Sequence, residues 1–243
     1  MVYSYFASKR GFDDTVGFSC NNIVGWCGHS VDYHKNKIND QVTQCINGLV
    51  NNEYITVNGN ILSNLFCEAV INNDKFDVPN SFAIIYFNEI QKIRDFKKYT
   101  EDTNRMNSSI LLLVLSYLRV NMLRRQEYYI GNESDKPEFC YRMYINIEKD
   151  IGLSNRYISR SVKILNEMNI IKSYELPRWK DENDNWHTEV TLFVNKYKYK
   201  KNTENGSFII DDNYNYEKEL QWGIDYIKEF KYLKKKFDQN TEK

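Results

Sequence analysis

The chain has 243 residues, 42% hydrophobic and 15% aromatic, with three prolines and ten glycines. That length suits one large domain or two small ones, and so aromatic and breaker-poor a composition excludes a disordered or linker-rich chain. Lys plus Arg equal Asp plus Glu at 33 each, so no global field draws nucleic acid. Local charge is less even. Residues 91–125 carry eight basic side chains (Lys92, Arg94, Lys97, Lys98, Arg105, Arg119, Arg124, Arg125) against Asp95, Glu101 and Asp102. Residues 141–180 carry eight against Glu148, Asp150, Glu167 and Glu175. Salt screening limits what a phosphate feels to about 8–10 Å, so these local excesses of basic charge matter more than the neutral total. The five cysteines (Cys20, Cys27, Cys45, Cys67, Cys140) form no CxxC pair and leave one odd, and the N-terminus shows no signal sequence. Both point to reduced thiols in a cytoplasm. The most apolar run, Ile110–Leu118, is half of the roughly 20 residues a membrane span needs, so no membrane partner is expected.

Along the chain, Asn21–Gly28 predicts a short helix ending at Gly28. A polar turn over His29–Lys37 leads to a helix over Ile38–Val50, with Ile38, Val42, Cys45, Ile46 and Leu49 as its apolar stripe. Its outer face carries Asn39, Gln41, Thr43, Gln44 and Asn47, with only Lys35 and Lys37 nearby for charge. Glu53–Asn60 then predicts a strand and an Asn58-Gly59 turn. From Leu62 to Asn104 the pattern is that of a linker region, with a turn at Asp77–Asn80 and a helix over Ala83–Tyr99.

The second half has a clearer rhythm. Asn107-Ser108-Ser109 offers a helix cap, and Ile110–Leu118 is apolar on nearly every face, as expected of a central helix ending near Leu123-Arg124-Arg125. A polar loop at Gly131–Pro137 and a strand at Tyr141–Tyr144 follow. Asn146 caps a short helix with apolar contacts at Ile147 and Ile151. Gly152-Leu153-Ser154 supplies a left-handed glycine, a buried wedge and a cap. The helix over Asn155–Met168 then buries Ile158, Val162, Leu165 and Met168 and turns Asn155, Arg156, Ser159, Arg160 and Lys163 outward. A strand from Ile170-Ile171, a polar loop over Pro177–His187 and a return strand over Val190–Val194 complete a hairpin. Finally, Leu220, Ile224, Ile227, Phe230, Leu233 and Phe237 stripe a C-terminal helix, which docks on its own domain or pairs with a second copy. The stripe is long for a small domain to bury, so self-association into a homodimer is the expectation.

Short helix, glycine turn, longer basic helix and hairpin form the winged helix-turn-helix pattern. The stretch Ile147–Ile171 resembles the winged helices of bacterial DNA-binding proteins, over about Ser108–Tyr197. The first half repeats the order more loosely. That tandem arrangement, with the phrase Asn22-Ile-Val-Gly-Trp-Cys-Gly28, is similar to replication-initiation-type proteins of phages and plasmids in low-GC Gram-positive bacteria. The expected fold is therefore α+β, mainly α with small β-hairpins: two winged helix-turn-helix units plus a C-terminal helix. The expected divisions are an N-terminal unit over residues 1–73, a connection over 74–104, a second unit over 105–201, and a linker and helix over 202–243.

The candidate DNA-contacting residues are Asn155, Arg156, Tyr157, Ser159, Arg160 and Lys163 on the second helix, with Arg178, Lys180 and His187 on the wing. Asn and Arg match adenine and guanine edges, and Arg and Lys also match phosphate. The expected partner is double-stranded DNA, bound in replication initiation or, alternatively, in transcriptional regulation alongside that machinery. The competing class is a protein-interaction module. No cofactor is expected. Cys27, His29 and His34 lack zinc-ligand spacing, and Asp181–Asn185 opens like a calcium loop but has Trp186 and Leu192 where glycine and glutamate belong. No nucleotide-binding or hydrolase motif occurs, so a non-enzymatic protein is expected.

Overall fold

A helix, a strand, two helices and two strands succeed one another twice along the chain in the computed structural model. It describes residues 1–11, 13–29, 37–61, 65–72, 74, 85–96, 106–122, 138–176, 179–180, 186–187, 190–201 and 208–227. The chain divides into two units, Met1–Leu112 and Leu113–Lys243. In the first, α1 (Val2–Lys9), β1 (Thr15–Phe18), α2 (Cys20–Trp26), α3 (Lys37–Asn51), β2 (Ile55–Asn58) and β3 (Cys67–Ile71) are followed by α4 (Phe87–Arg94). Helix α5 (Ser108–Val120) crosses the division. The second unit continues with β4 (Phe139–Arg142), α6 (Tyr144–Ile151), α7 (Asn155–Glu167) and β5 (Ile171–Leu176). Then come β6 (Trp179–Lys180), β7 (Trp186–His187), β8 (Val190–Asn195), β9 (Tyr199–Lys201) and β10 (Phe208–Ile210). Last is α8, residues 216–227. The fold is thus mixed α+β, with helices beside small antiparallel sheets.

Both three-stranded sheets place the third strand between the first and second: β1-β3-β2 in one unit and β4-β8-β5 in the other. The local backbone repeats too. Gly28 after α2 and Gly152 after α6 are left-handed, at φ 79° and 68°. Glu53 after α3 and Asn169 after α7 are also left-handed, at φ 61° and 55°. Each lets the next amide reach back into the helix, Tyr54 to Leu49 O at 2.9 Å and Ile170 to Leu165 O at 3.0 Å. These 6→1 bonds close a helix end and feed the chain directly into a strand.

In the first unit, Phe6, Val16, Phe18, Ile23, Ile46, Ile55, Ala69 and Ile71 form one core. Alternation in β1 and β3 buries one sheet face only, with Val16 and Phe18 in, Gly17 and Glu68 out. The exposed Phe66 ring lies over Gly17, where a Cβ would come within 2.6 Å of it. The structure departs from the sequence expectations here. Helix α1 and strand β1 are additional elements, and β3 falls inside the stretch read as linker. The Asn58-Gly59 pair is no tight hairpin turn, because Asn58 pairs with Glu68 and a longer loop intervenes. Cys45 is exposed and does not belong to the buried stripe of α3. The expected Ala83–Tyr99 helix is described only as α4, where the Tyr86 amide donates to Glu89 Oε2 at 2.9 Å and sets its start. The turn at Asp77–Asn80 lies outside the described residues.

In the second unit the sheet has both faces covered, which is why all six residues of β8 are buried. Val190, Leu192 and Val194 point to one side and share a cluster with Phe139, Leu176, Leu220, Trp222, Ile224, Tyr226 and Ile227. Helix α8 is therefore docked on its own unit. Over residues 216–227 the stripe thus takes the first of its two expected places, its own domain; Phe230, Leu233 and Phe237 lie outside the described residues. Gly223 permits the close approach: a Cβ there would meet Leu192 Cδ2 at 2.9 Å and Phe139 Cγ at 3.2 Å. Glu219 ties the helix to the sheet, its carboxylate accepting the Glu138 N–H at 2.6 Å. On the opposite side, Phe193 meets the Tyr144 ring at 6.4 Å, and Asn195 Oδ1 accepts from the buried Arg119 at 3.1 Å.

Further differences concern boundaries and exposure. Strand β4 is Phe139–Arg142 rather than Tyr141–Tyr144, because pairing with β8 runs from Phe139↔Val194 to Arg142↔Thr191. Extended Met143 then caps α6, which begins at Tyr144 rather than after Asn146. Helix α5 buries Leu111, Val114, Leu115 and Leu118 but leaves Leu113 44% exposed, so this apolar helix is not buried all round as a central helix would be. The residues 123–125 and 131–137 lie outside the described residues. Among the described residues, no helix is long and apolar enough to cross a membrane.

Candidate nucleic-acid interface

Helix α6 holds the turn from which α7 projects. Its Asp150 carboxylate accepts a short hydrogen bond from the Tyr117 hydroxyl of α5. Arg142 of β4 adjoins the same pair and donates to Asn121 Oδ1 at 3.1 Å. Burial, and after it the bond to the Asp150 carboxylate, raises the Tyr117 phenol above its ordinary range. The proton stays on Tyr117, so the clamp persists at neutral pH. The chain then turns at left-handed Gly152, whose amide donates to Glu148 O at 2.9 Å. Leu153 is half-buried rather than fully buried. Ser154 occupies the cap position without a side-chain cap bond; its carbonyl accepts from the Tyr157 and Ile158 amides instead.

No atom lies within 4 Å of a Cβ added at Gly152, so the backbone alone makes the position costly for other residues. Gly152→Ala is expected to destabilise the protein by about 1–2 kcal/mol, the usual left-handed penalty, and Gly152→Asn by less. Urea unfolding measures both, and an alanine variant as stable as the parent would contradict the turn geometry.

Helix α7 buries Ile158, Ser161, Val162, Ile164 and Leu165. Ser161 lies on that inner face because its hydroxyl donates to Tyr157 O at 2.7 Å. Met168, expected in the stripe, is only half-buried. Outward lie Asn155, Arg156, Ser159 and Lys163, with Tyr157 49% exposed beside them. The first turn has no acidic residue. Lys163 stands 4.0 Å from Glu167, a pair so exposed that its net worth is under about 1 kcal/mol and leaves the lysine available. Arg160 differs from the expectation. It is half-buried and engaged within the protein, so it is not a freely solvated member of the face.

Beyond the hairpin of β5 and β8, β6 and β7 form a separate two-stranded pair, with Trp179↔His187 and Lys180↔Trp186. That places Lys180 and His187 by backbone; their side chains, and all of Arg178, lie outside the described residues. The sequence reading missed the link between helix and hairpin. Asn166 near the end of α7 donates to Val162 O and to Ser173 Oγ, each at 2.8 Å, and accepts the Ser173 N–H at 2.9 Å. Asn and Ser are common in loops and helix ends, and nothing in their spacing flags such a pair.

The counterpart helix α3 presents a different chemistry. Gln41, Gln44, Cys45 and Asn47 are exposed, while Lys37 and Asp40 offset each other in charge. Asn39 and Thr43, expected outside, face α2: Asn39 Nδ2 donates to Asn21 Oδ1 at 3.3 Å, and Thr43 Oγ1 is 3.5 Å from Cys20 Sγ. Among the described residues no three His, Cys, Asp or Glu side chains come together as metal ligands. His34 and Asp181–Asn185 lie outside them. All five cysteines are free thiols. Burial pushes the Cys140 thiol up to about 12, which leaves it un-ionised and unreactive at neutral pH.

No family model, curated protein or solved structure matches the chain.

Proposed function

We propose that the protein is a non-enzymatic, sequence-specific binder of double-stranded DNA, built from two winged helix-turn-helix units, with α7 as its reading helix. The observation that carries this reading is the outer face of α7. After a left-handed glycine turn, an acid-free first turn exposes Asn155, Arg156 and Ser159, and Lys163 follows one turn on. A helix so placed enters the major groove in helix-turn-helix proteins, and its first turns meet base edges. The β5–β8 hairpin, with β6 and β7 paired beyond it, is what we read as the wing. The role we attach to this binding is replication initiation of a phage or plasmid, acting at repeated origin sequences. A transcriptional regulator would use the same head at a single operator.

The test is binding of the full chain to mixed-sequence duplexes across a salt series. If three to six phosphates are neutralised, the log–log slope should lie between about −3 and −5. Affinity that is indifferent to salt would instead favour a protein-interaction surface. Footprinting on DNA flanking the gene then separates the two roles: iterated protected sites favour an origin, one site an operator.

A further inference from the structure

Among the described residues, strand β5 is an edge of its sheet, paired with β8 on one side only. Its outward N–H groups need another acceptor or water, and Asn166 takes one of them. The Asn166 carbonyl oxygen accepts the Ser173 N–H, while its amide donates both to Ser173 Oγ and back into its own helix at Val162 O. One amide hydrogen and one lone pair thus bridge the last turn of α7 and the first half of the hairpin, while the other hydrogen ties the side chain to α7 itself.

We propose that Asn166 is a positioning residue for DNA recognition: it fixes the angle between α7 and the hairpin, so that both engage one duplex in register. The inference rests on the reading of α7 as the DNA-contacting helix. Helix α7 is about 20 Å long at the standard rise, so a tilt of a few degrees about its Asn166 end moves Asn155 and Arg156 by about 1–2 Å. Base-edge hydrogen bonds need placement within roughly 0.5 Å, whereas attraction to phosphate does not. Loss of the bridge should therefore reduce discrimination between sequences and spare general affinity for DNA.

The experiment uses the full chain and a library of randomised duplexes, from which the parent protein selects its preferred sequence. Affinities for that selected duplex and for poly(dI-dC) are then compared at matched salt, below the melting temperature of every variant. Asn166→Ala is expected to lower the ratio of the two affinities by about tenfold, the scale of one mismatched base pair. Its affinity for poly(dI-dC) and the salt slope should be unchanged, an outcome a merely destabilised fold would not give. Ser173→Ala keeps its backbone N–H and should stay within about threefold of the parent ratio. A folded Asn166→Ala protein with the parental ratio, or with equal losses on both DNAs, overturns the proposal. Should that variant fail to fold, Asn166→Asp combined with Ser173→Ala carries the test. It keeps the acceptor for the residue-173 N–H and leaves no hydroxyl to donate to the new carboxylate, so an intermediate ratio supports the bridge and a parental one overturns it. If the parent selects no sequence at all, the reading of α7 itself fails. Selection by the parent with an unaltered Asn166→Ala profile fails only the positioning role.

Discussion

Phe139→Ala is expected to destabilise the second unit by about 3–5 kcal/mol, the range for emptying a fully buried aromatic site. Phe139 is 0% exposed. It stands between the sheet and α8, with the Tyr226 ring at 5.4 Å, Trp222 at 5.7 Å and Tyr141 at 6.2 Å. Collapse cannot fill the space cheaply. The facing residue is Gly223, which has no side chain to move in, and Trp222 and Tyr226 are already stacked on each other at 5.5 Å. The loss should fall on the seat of α8 in particular, because Tyr216, Leu220, Trp222, Ile224, Tyr226 and Ile227 of that helix share its cluster. Urea unfolding followed by tryptophan emission gives the magnitude, and limited proteolysis shows whether α8 is cut first. A loss below about 1 kcal/mol would mean that the helix does not rest on the sheet in solution.

The second large effect concerns binding. Arg156→Ala should leave stability within about 0.5 kcal/mol, since the side chain is exposed and outside the buried stripe. If the guanidinium meets a base edge, affinity for the preferred sequence should fall by roughly 1–3 kcal/mol, and discrimination at one base position should relax. If it meets only phosphate, binding should weaken on all sequences alike and the salt slope should flatten by about 0.9. Titrating the variant against matched and singly mismatched duplexes at two salt concentrations tells these apart. An Arg156→Ala protein that binds as tightly and selectively as the parent would remove α7 from the interface. Arg160 is the poorer probe. It is half-buried and engaged within the protein, so its replacement mixes a loss of folding contacts with any loss of DNA contacts.

Local patterns in the sequence determined the parts of this protein that depend on neighbouring residues. The stripe Ile158, Val162 and Leu165 fixed which side of α7 is buried, because helical period and hydrophobic burial act over one or two turns. Gly152 fixed the turn, because it alone there tolerates φ 68° without strain. Arg156 was legible as an exposed residue by the same periodicity. Strands such as β1 and β3 were not, since an alternation only four or five residues long does not stand out from the loops around it. They become strands only by pairing with each other across some 50 residues of chain. Tertiary structure alone also decided where α8 goes. Its stripe fits a second copy or its own sheet, and over residues 216–227 it lies on its own sheet, where Gly223 lets the helix close on Leu192 and Phe139. The same holds for Asn166 and Ser173. Their bridge depends on the free edge of β5 arriving beside the end of α7, a condition set by sheet order and not by either residue.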